Sequence, residues 1–218
     1  MRITELIGRH HGEDIYVIGS GGSLNYLDPD FFADKVTIGI NKVASVWMPT
    51  TYSVTKYWEQ ADRLVDEGHV TVVSACQHGS LSKYEADPDE HPDRYVFRHV
   101  HNHGVKFRVN LHWPGEPDML VVSWSTITSG MHLAAVMGAA NIIMVGADGG
   151  TLGESTNVDH YYTPDIDQSR MVQDFEDQTL IVKRELMDRY GVRVYGLSPF
   201  INPNLEGVPF VGRNRINC

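Results

Sequence analysis

The chain has 218 residues, of which 42% are hydrophobic and 21% charged. That composition suits one α/β domain large enough to need no disulfide or metal staple. Its 28 acidic against 18 basic side chains give a net charge of −10, which argues against a general DNA or RNA binder, because duplex nucleic acid demands a basic surface. Two cysteines, Cys76 and Cys218, supply no metal framework and fit a reducing compartment. No apolar run approaches the roughly 20 residues that span a bilayer, and the charged N-terminus has no signal-type apolar block. The expectation is a soluble cytoplasmic protein.

The first predicted element is IYVIG at 15–19, too short for a helix and rich in β-branched residues. An SGGS turn follows, then a short predicted helix over Leu24–Phe32 with Asp28 and Pro29 near its start. KVTIGIN at 35–41, TTYSVT at 50–55 and HVTVVSA at 69–75 predict three more strands, with a helix in the intervening TKYWEQADRLVDEG. Strand–helix–strand order implies a parallel sheet. Residues 77–118, crowded with His, Asp, Pro and Asn, break the rhythm and read as an insertion over the sheet edge, a lid or acceptor site. MLVVSW at 119–124 predicts a strand, and TSGMHLAAVMGA at 128–139 a helix with Thr128 or Ser129 as its N-cap. NIIMVGAD at 141–148 predicts a buried strand with a polar end. A polar loop leads to a long helix ending at Gly191, and VRVYGLS at 192–198 is the last predicted strand. Residues 1–218 are therefore expected to form a single Rossmann-like α/β nucleotide-binding domain, a mostly parallel sheet flanked by helices, with 77–118 inserted in it.

Several residue groups carry candidate chemistry. Gly19, Gly21 and Gly22, together with Ser20 and Ser23, form a turn whose backbone can approach an anion closely. The alternative is a tight strand-to-helix turn without a ligand, but three glycines after an apolar strand are a cost unless used. The dinucleotide fingerprint needs glycine where Leu24 stands and an acidic residue where Asn41 stands, so NAD and FAD are disfavoured. Asn41 and Thr55–Lys56 close predicted parallel strands, where ligands bind in open α/β sheets. The amide can read a base or ribose and the lysine can meet phosphate, or both can simply cap strand ends. Thr128, Ser129 and Gly130 open a helix, where hydroxyl and N–H groups suit phosphate or ribose and also suit plain capping. Asp148 is either hydrogen-bonded to loop N–H groups or open to a ligand. His160, Tyr161 and Tyr162, near Asp159 and Asp165, can move protons or bond phosphate oxygens. His91, His99, His101, His103 and His112 crowd the middle segment. The alternation of 99, 101 and 103 would offer three imidazoles on one strand face to zinc or another divalent ion, against the default of surface histidines.

VIGSGGSL followed by VTIGINKV, ITSGMHLAAVMGAANIIMVGAD, DHYY, a long helix and VRVYGLSP resembles the bacterial sialyltransferases of glycosyltransferase family 42, a variant of the GT-A fold. It resembles equally the relatives grouped as DUF115, which include flagellin-modifying Maf-type proteins and archaeal 6-hydroxymethylpterin diphosphokinases. The match runs over most of the chain, apart from its histidine-rich middle. The resemblance implies that Gly19-Ser20-Gly21-Gly22-Ser23-Leu24, where the sialyltransferases have G-N-G-P-S-L, contacts the nucleotide of a donor. It implies that Asn41, Thr128, Ser129 and Gly130 line the same site, and it matches Gly146-Ala147-Asp148 to the family's strand-ending G-x-D. The two tyrosines that hold the departing phosphate in the sialyltransferases have no counterpart before Tyr161, and their catalytic histidine falls among Thr163, Pro164 and Asp165. His160-Tyr161-Tyr162 instead fits the pattern of the uncharacterised relatives. The implied activity is transfer of a sugar from a CMP-sugar or similar donor to a hydroxyl of a small molecule or glycan. His160 would be the general base or, with Tyr161 and Tyr162, a donor to phosphate. No cofactor or metal is required in that scheme, and self-assembly into a homo-oligomer fits it. The alternatives are ATP-dependent diphosphoryl transfer with Mg²⁺ on Asp148, Asp159 and Asp165, and nucleotide binding without catalysis.

Overall fold

Short β-branched runs alternating with helical segments produce a Rossmann-like α/β fold. The computed structural model describes residues 1–76, 86–102, 111–123, 125–148 and 169–197. Its strands are β1 (Asp14–Ile18), β2 (Val36–Ile40), β3 (Tyr52–Thr55), β4 (Thr71–Ser74), β5 (Tyr95–Asn102), β6 (Met119–Ser123), β7 (Asn141–Val145) and β8 (Arg193–Leu197). They join in one eight-stranded sheet of order β6-β5-β4-β3-β2-β1-β7-β8. Every one of these pairings is parallel. All four residues of β3 and of β4 are buried, as expected of a parallel sheet covered on both faces.

The helices are α1 (Val43–Val46), α2 (Trp58–Asp66), α3 (Ile127–Val136) and α4 (Ser169–Tyr190). Two expectations change at this level. The helix expected over Leu24–Phe32 is a pair of 3₁₀ turns, Gly22–Tyr26 and Pro29–Phe32. Pro29 cannot continue a helix from the preceding turn, and Asp28 caps the second turn by accepting the Asp30 N–H at 3.1 Å. Residues 77–118, expected as an insertion, supply β5, which sits between β4 and β6. The polar content of YVFRHVHN hides a strand signal. Val96 and Phe97 are buried, Arg98 bonds Glu116 and Asp118, and His99 Nδ1 lies 2.7 Å from Ser74 Oγ.

Helix α3 positions everything that follows. Nine of its ten residues are buried, so it is enclosed on all sides, as a helix without a polar face must be. It packs on β6 at one edge of the sheet and also on β1, β2 and β7, so the sheet curls around it. Its N-cap is Thr126, whose side chain makes no capping bond, and not Thr128 or Ser129. The helix is fixed instead by His132, whose Nδ1 accepts the Val121 N–H at 2.9 Å. The His132 Nε2–H therefore donates to Tyr190 Oη at 2.8 Å, tying α3 to α4. Burial pushes the His132 imidazolium down to about 3, so the ring is neutral. Gly191, with φ +68°, ends α4 as expected. Among the described residues no helix is long and apolar enough to cross a membrane.

Candidate functional site

The chain lays down β1 and then steps outward through β2 to β6, before returning to place β7 on the other flank of β1. Ligands of open parallel sheets bind at the carboxyl edge beside such a reversal. The residues at that edge come from the ends of β7, β1, β2 and β3, four adjacent strands.

The turn after β1 is locked to the turn after β7. Gly19 N–H donates to Val145 O and Gly21 N–H to Gly146 O, both at 2.8 Å. A Cβ on Gly19 or on Gly21 would stand 2.6 Å from Gly146 O, and one on Gly21 would also strike the Asp148 carboxylate. Gly146 adopts φ +60°, and a Cβ there would stand 2.6 Å from Gly19 O. These glycines are thus required by two loops meeting at van der Waals distance. The Asp148 carboxylate completes the lock by accepting the Ser23 N–H at 2.7 Å. Asp148 thus makes the bond to a loop N–H and is only partly buried.

The closed turn leaves groups to offer. No hydrogen bond among the described residues uses the N–H of Ser20 or Gly22. Ser23 is 2% exposed, and its Oγ has no hydrogen-bond partner among the described residues. A buried hydroxyl left in this state costs free energy unless something supplies its partner. Gly22 and Ser23 both lie within the 3₁₀ turn.

Asn41 follows β2 with φ +58°, the sole non-glycine with positive φ among the described residues. Asparagine tolerates this conformation better than most side chains, and such geometry gathers at functional sites. Its N–H donates to Val54 O at 2.8 Å, and Thr55 Oγ1 lies 3.3 Å from its Oδ1. Thr55 also reaches Gln60 Oε1 at 3.0 Å, which ties the edge to α2. The next residue, Lys56, is 4% exposed. It makes no hydrogen bond or ion pair among the described residues, and burial alone pushes its ammonium down to about 8. From sequence, a strand-end cap is the plainer reading of Lys56. The signal available was a lysine directly after a predicted strand, at the edge where ligands of parallel sheets bind.

Thr128, Ser129 and Gly130 support this edge from beneath. Thr128 Oγ1 donates to Ser125 O at 2.7 Å and accepts the Ser123 N–H at 3.0 Å. Ser129 Oγ donates to Val121 O at 2.9 Å. A Cβ on Gly130 would stand 2.8 Å from Ile40 Cδ1 and 2.9 Å from Val17 Cγ1, so its absence lets α3 press against β1 and β2. These three residues clamp α3 to β6 and to the strands that carry Gly19 and Asn41. The α3 residue Ile127 would meet a Cβ on Gly19 at 3.3 Å.

His160, Tyr161 and Tyr162, with Asp159 and Asp165, lie outside the described residues. His103 does so as well, while His99 and His101 share β5. His91 packs its ring 4.8 Å from that of Trp58. Among the described residues no group of three His, Cys, Asp or Glu side chains is placed to hold a metal ion.

No protein-family model matches the chain. No curated protein matches it either. Among solved structures it is similar to the sialyltransferase CstII from Campylobacter jejuni, determined in complex with a substrate analogue, cytidine-5'-monophosphate. The similarity covers 91% of this chain and 86% of that one, with a TM-score of 0.51 and 12% sequence identity. At that identity the likeness is one of fold. It agrees with the sialyltransferase side of the resemblance and adds nothing for the DUF115 side.

Proposed function

We propose that the protein is a nucleotide-sugar-dependent glycosyltransferase that moves a sugar from a CMP-sugar or similar donor to a hydroxyl acceptor. The observation that carries this reading is the orphaned, buried Ser23 hydroxyl on a preformed turn at the reversal of a sialyltransferase-like sheet. In this reading Ser20, Gly22 and Ser23 bond the nucleotide, Gly19 and Gly21 hold the turn shut, and Asp148 braces it. Asn41 meets the base or ribose from its strained position. Thr128, Ser129 and Gly130 set the floor. His160 takes the proton from the acceptor hydroxyl as that oxygen attacks the anomeric carbon, and Tyr161 and Tyr162 steady the departing phosphate. No metal ion is needed if protein groups neutralise that phosphate.

The test is a thermal-shift panel of CMP, UMP, ADP, ATP and their sugar conjugates, each with and without Mg²⁺, followed by donor turnover in His160→Ala. A metal-independent shift with one nucleotide family and lost turnover in the variant are expected. An ATP response that requires Mg²⁺ would move the assignment to diphosphoryl transfer. Tight binding without turnover would make the protein a nucleotide-binding module.

A further inference from the structure

Lys56 is buried at the end of β3, next to Thr55, which bonds Asn41, and nothing in the proposed function employs it. The other buried cation among the described residues shows what such a group normally requires. Arg94 is 7% exposed and has the carboxylates of Asp93 at 2.6 Å and Asp62 at 2.5 Å. Lys56, at 4% exposed, has no carboxylate, carbonyl or hydroxyl among the described residues. The chain carries 28 acidic side chains, so the lack of a partner does not reflect a shortage of anions. A charge held out of water without a counter-ion is costly and is seldom found unless something pairs with it.

Place and chemistry identify what would pair with it. Lys56 directly follows β3, and Asn41 directly follows β2 and is bonded to Val54 O of β3. The glycine turn directly follows β1, two strand spacings from Lys56, which is about 10 Å. A ligand seated on the turn and extending past Asn41 would span that distance. An ammonium in a desolvated position is a point-charge receptor suited to phosphate, which it attracts strongly because little water screens the pair.

We propose that the ε-ammonium of Lys56 is the receptor for a phosphate group of the ligand bound at this sheet edge. The inference rests on the nucleotide reading only for the choice of nucleoside probes. It concerns binding alone: no bond to Lys56 forms, and the amine keeps its proton throughout.

Calorimetric titration of the full chain at neutral pH tests it, using inorganic pyrophosphate, CMP and cytidine as probes. The proteins compared are the wild type, Lys56→Met, Lys56→Gln and Lys56→Arg, with the glutamine variant as the neutral replacement should the methionine variant not fold. Pyrophosphate and CMP affinity should fall about 10- to 100-fold in the neutral variants, the range for losing a charged hydrogen bond. Cytidine affinity should stay within twofold, and arginine should recover part of the loss. Unchanged pyrophosphate and CMP affinity in a folded neutral variant overturns the proposal. Equal loss of CMP and cytidine also overturns it, because Lys56 would then be serving the fold. Failure of the wild type to bind any phosphate-bearing probe overturns it as well. Lys56-dependent pyrophosphate binding with no preference for CMP sustains the phosphate receptor and removes the nucleotide reading.

Discussion

If Lys56 awaits an anion, the empty protein should carry the burden of its burial. The ammonium falls from its ordinary 10.5 to about 8 through desolvation. Linkage converts that difference into about 3 kcal/mol of native stability lost while the amine is charged, an upper bound. Below pH 8 the amine is protonated both folded and unfolded, and the full cost applies. Between about 8 and 10.5 the folded amine is neutral while the unfolded one keeps its proton, so stability climbs with pH. Above 10.5 neither form is charged and the cost is gone. Methionine at this position keeps the length of the stem and removes the charge. Lys56→Met should therefore be more stable than wild type by as much as about 3 kcal/mol at pH 7, or roughly 6–12 °C in Tm for a chain of this size. The gain should shrink steadily as the pH approaches 10.5. Urea unfolding at pH 7 and at pH 9.5, in phosphate-free buffer, measures both. A variant less stable than wild type at pH 7, or a gain that does not change with pH, would refute the desolvation argument.

Four other outcomes follow from the described contacts. Ser23→Ala should leave unliganded stability within about 1 kcal/mol of wild type while weakening nucleotide binding several-fold, because it deletes a hydroxyl that lacks a partner only when the site is empty; paired urea and titration measurements check it. Gly21→Ala should cost about 1–3 kcal/mol in urea unfolding and abolish nucleotide binding, since its methyl would collide with Gly146 O and the Asp148 carboxylate. Gly130→Ala should cost a similar amount through Ile40 and Val17, with ligand affinity falling less than in Gly21→Ala, as read by the same titrations. His132 is buried neutral, its folded value lowered to about 3 from 6.5, so it contributes stability above pH 6.5 that is lost as pH falls toward 3. The stability of His132→Gln should show a shallower decline across that window in acid-unfolding curves.

Much of the sheet could be read from residue pattern. IYVIG, VTIGI and NIIMV are short, β-branched and bounded by glycine or polar residues, and each is a central strand. β5 escaped because its polar side chains are spent on neighbours that only the fold supplies: Arg98 on Glu116 and Asp118, His99 on Ser74. The start of α3 was misplaced for a related reason. Thr128 and Ser129 have the composition of caps, yet they bond strand β6, a partner no local pattern can announce. The glycine turn was legible as a turn, but part of its purpose was not. Gly19 and Gly21 face a loop more than 120 residues away in sequence, so their need for glycine arises from tertiary contact. The left-handed Asn41 and the unpaired Lys56 are likewise properties of place. An asparagine or lysine after a strand is commonplace, and only its backbone angle or its missing partner distinguishes it.

The enclosure of α3 also constrains how the chain can assemble. That helix connects one edge strand, β6, to β7 on the far side of β1, and its faces are covered by strands from both regions. Until β7 arrives, β1 presents a bare hydrogen-bonding edge from Asp14 to Ile18, although its partner begins only at Asn141. Such remote pairing makes folding slow and leaves the half-built sheet open to pairing with other chains. During synthesis the protein is thus most exposed to aggregation while the first six strands exist without the seventh. Conditions that slow elongation before residue 141, or that crowd nascent chains together, should lower its yield far more than equal stress applied to the finished molecule.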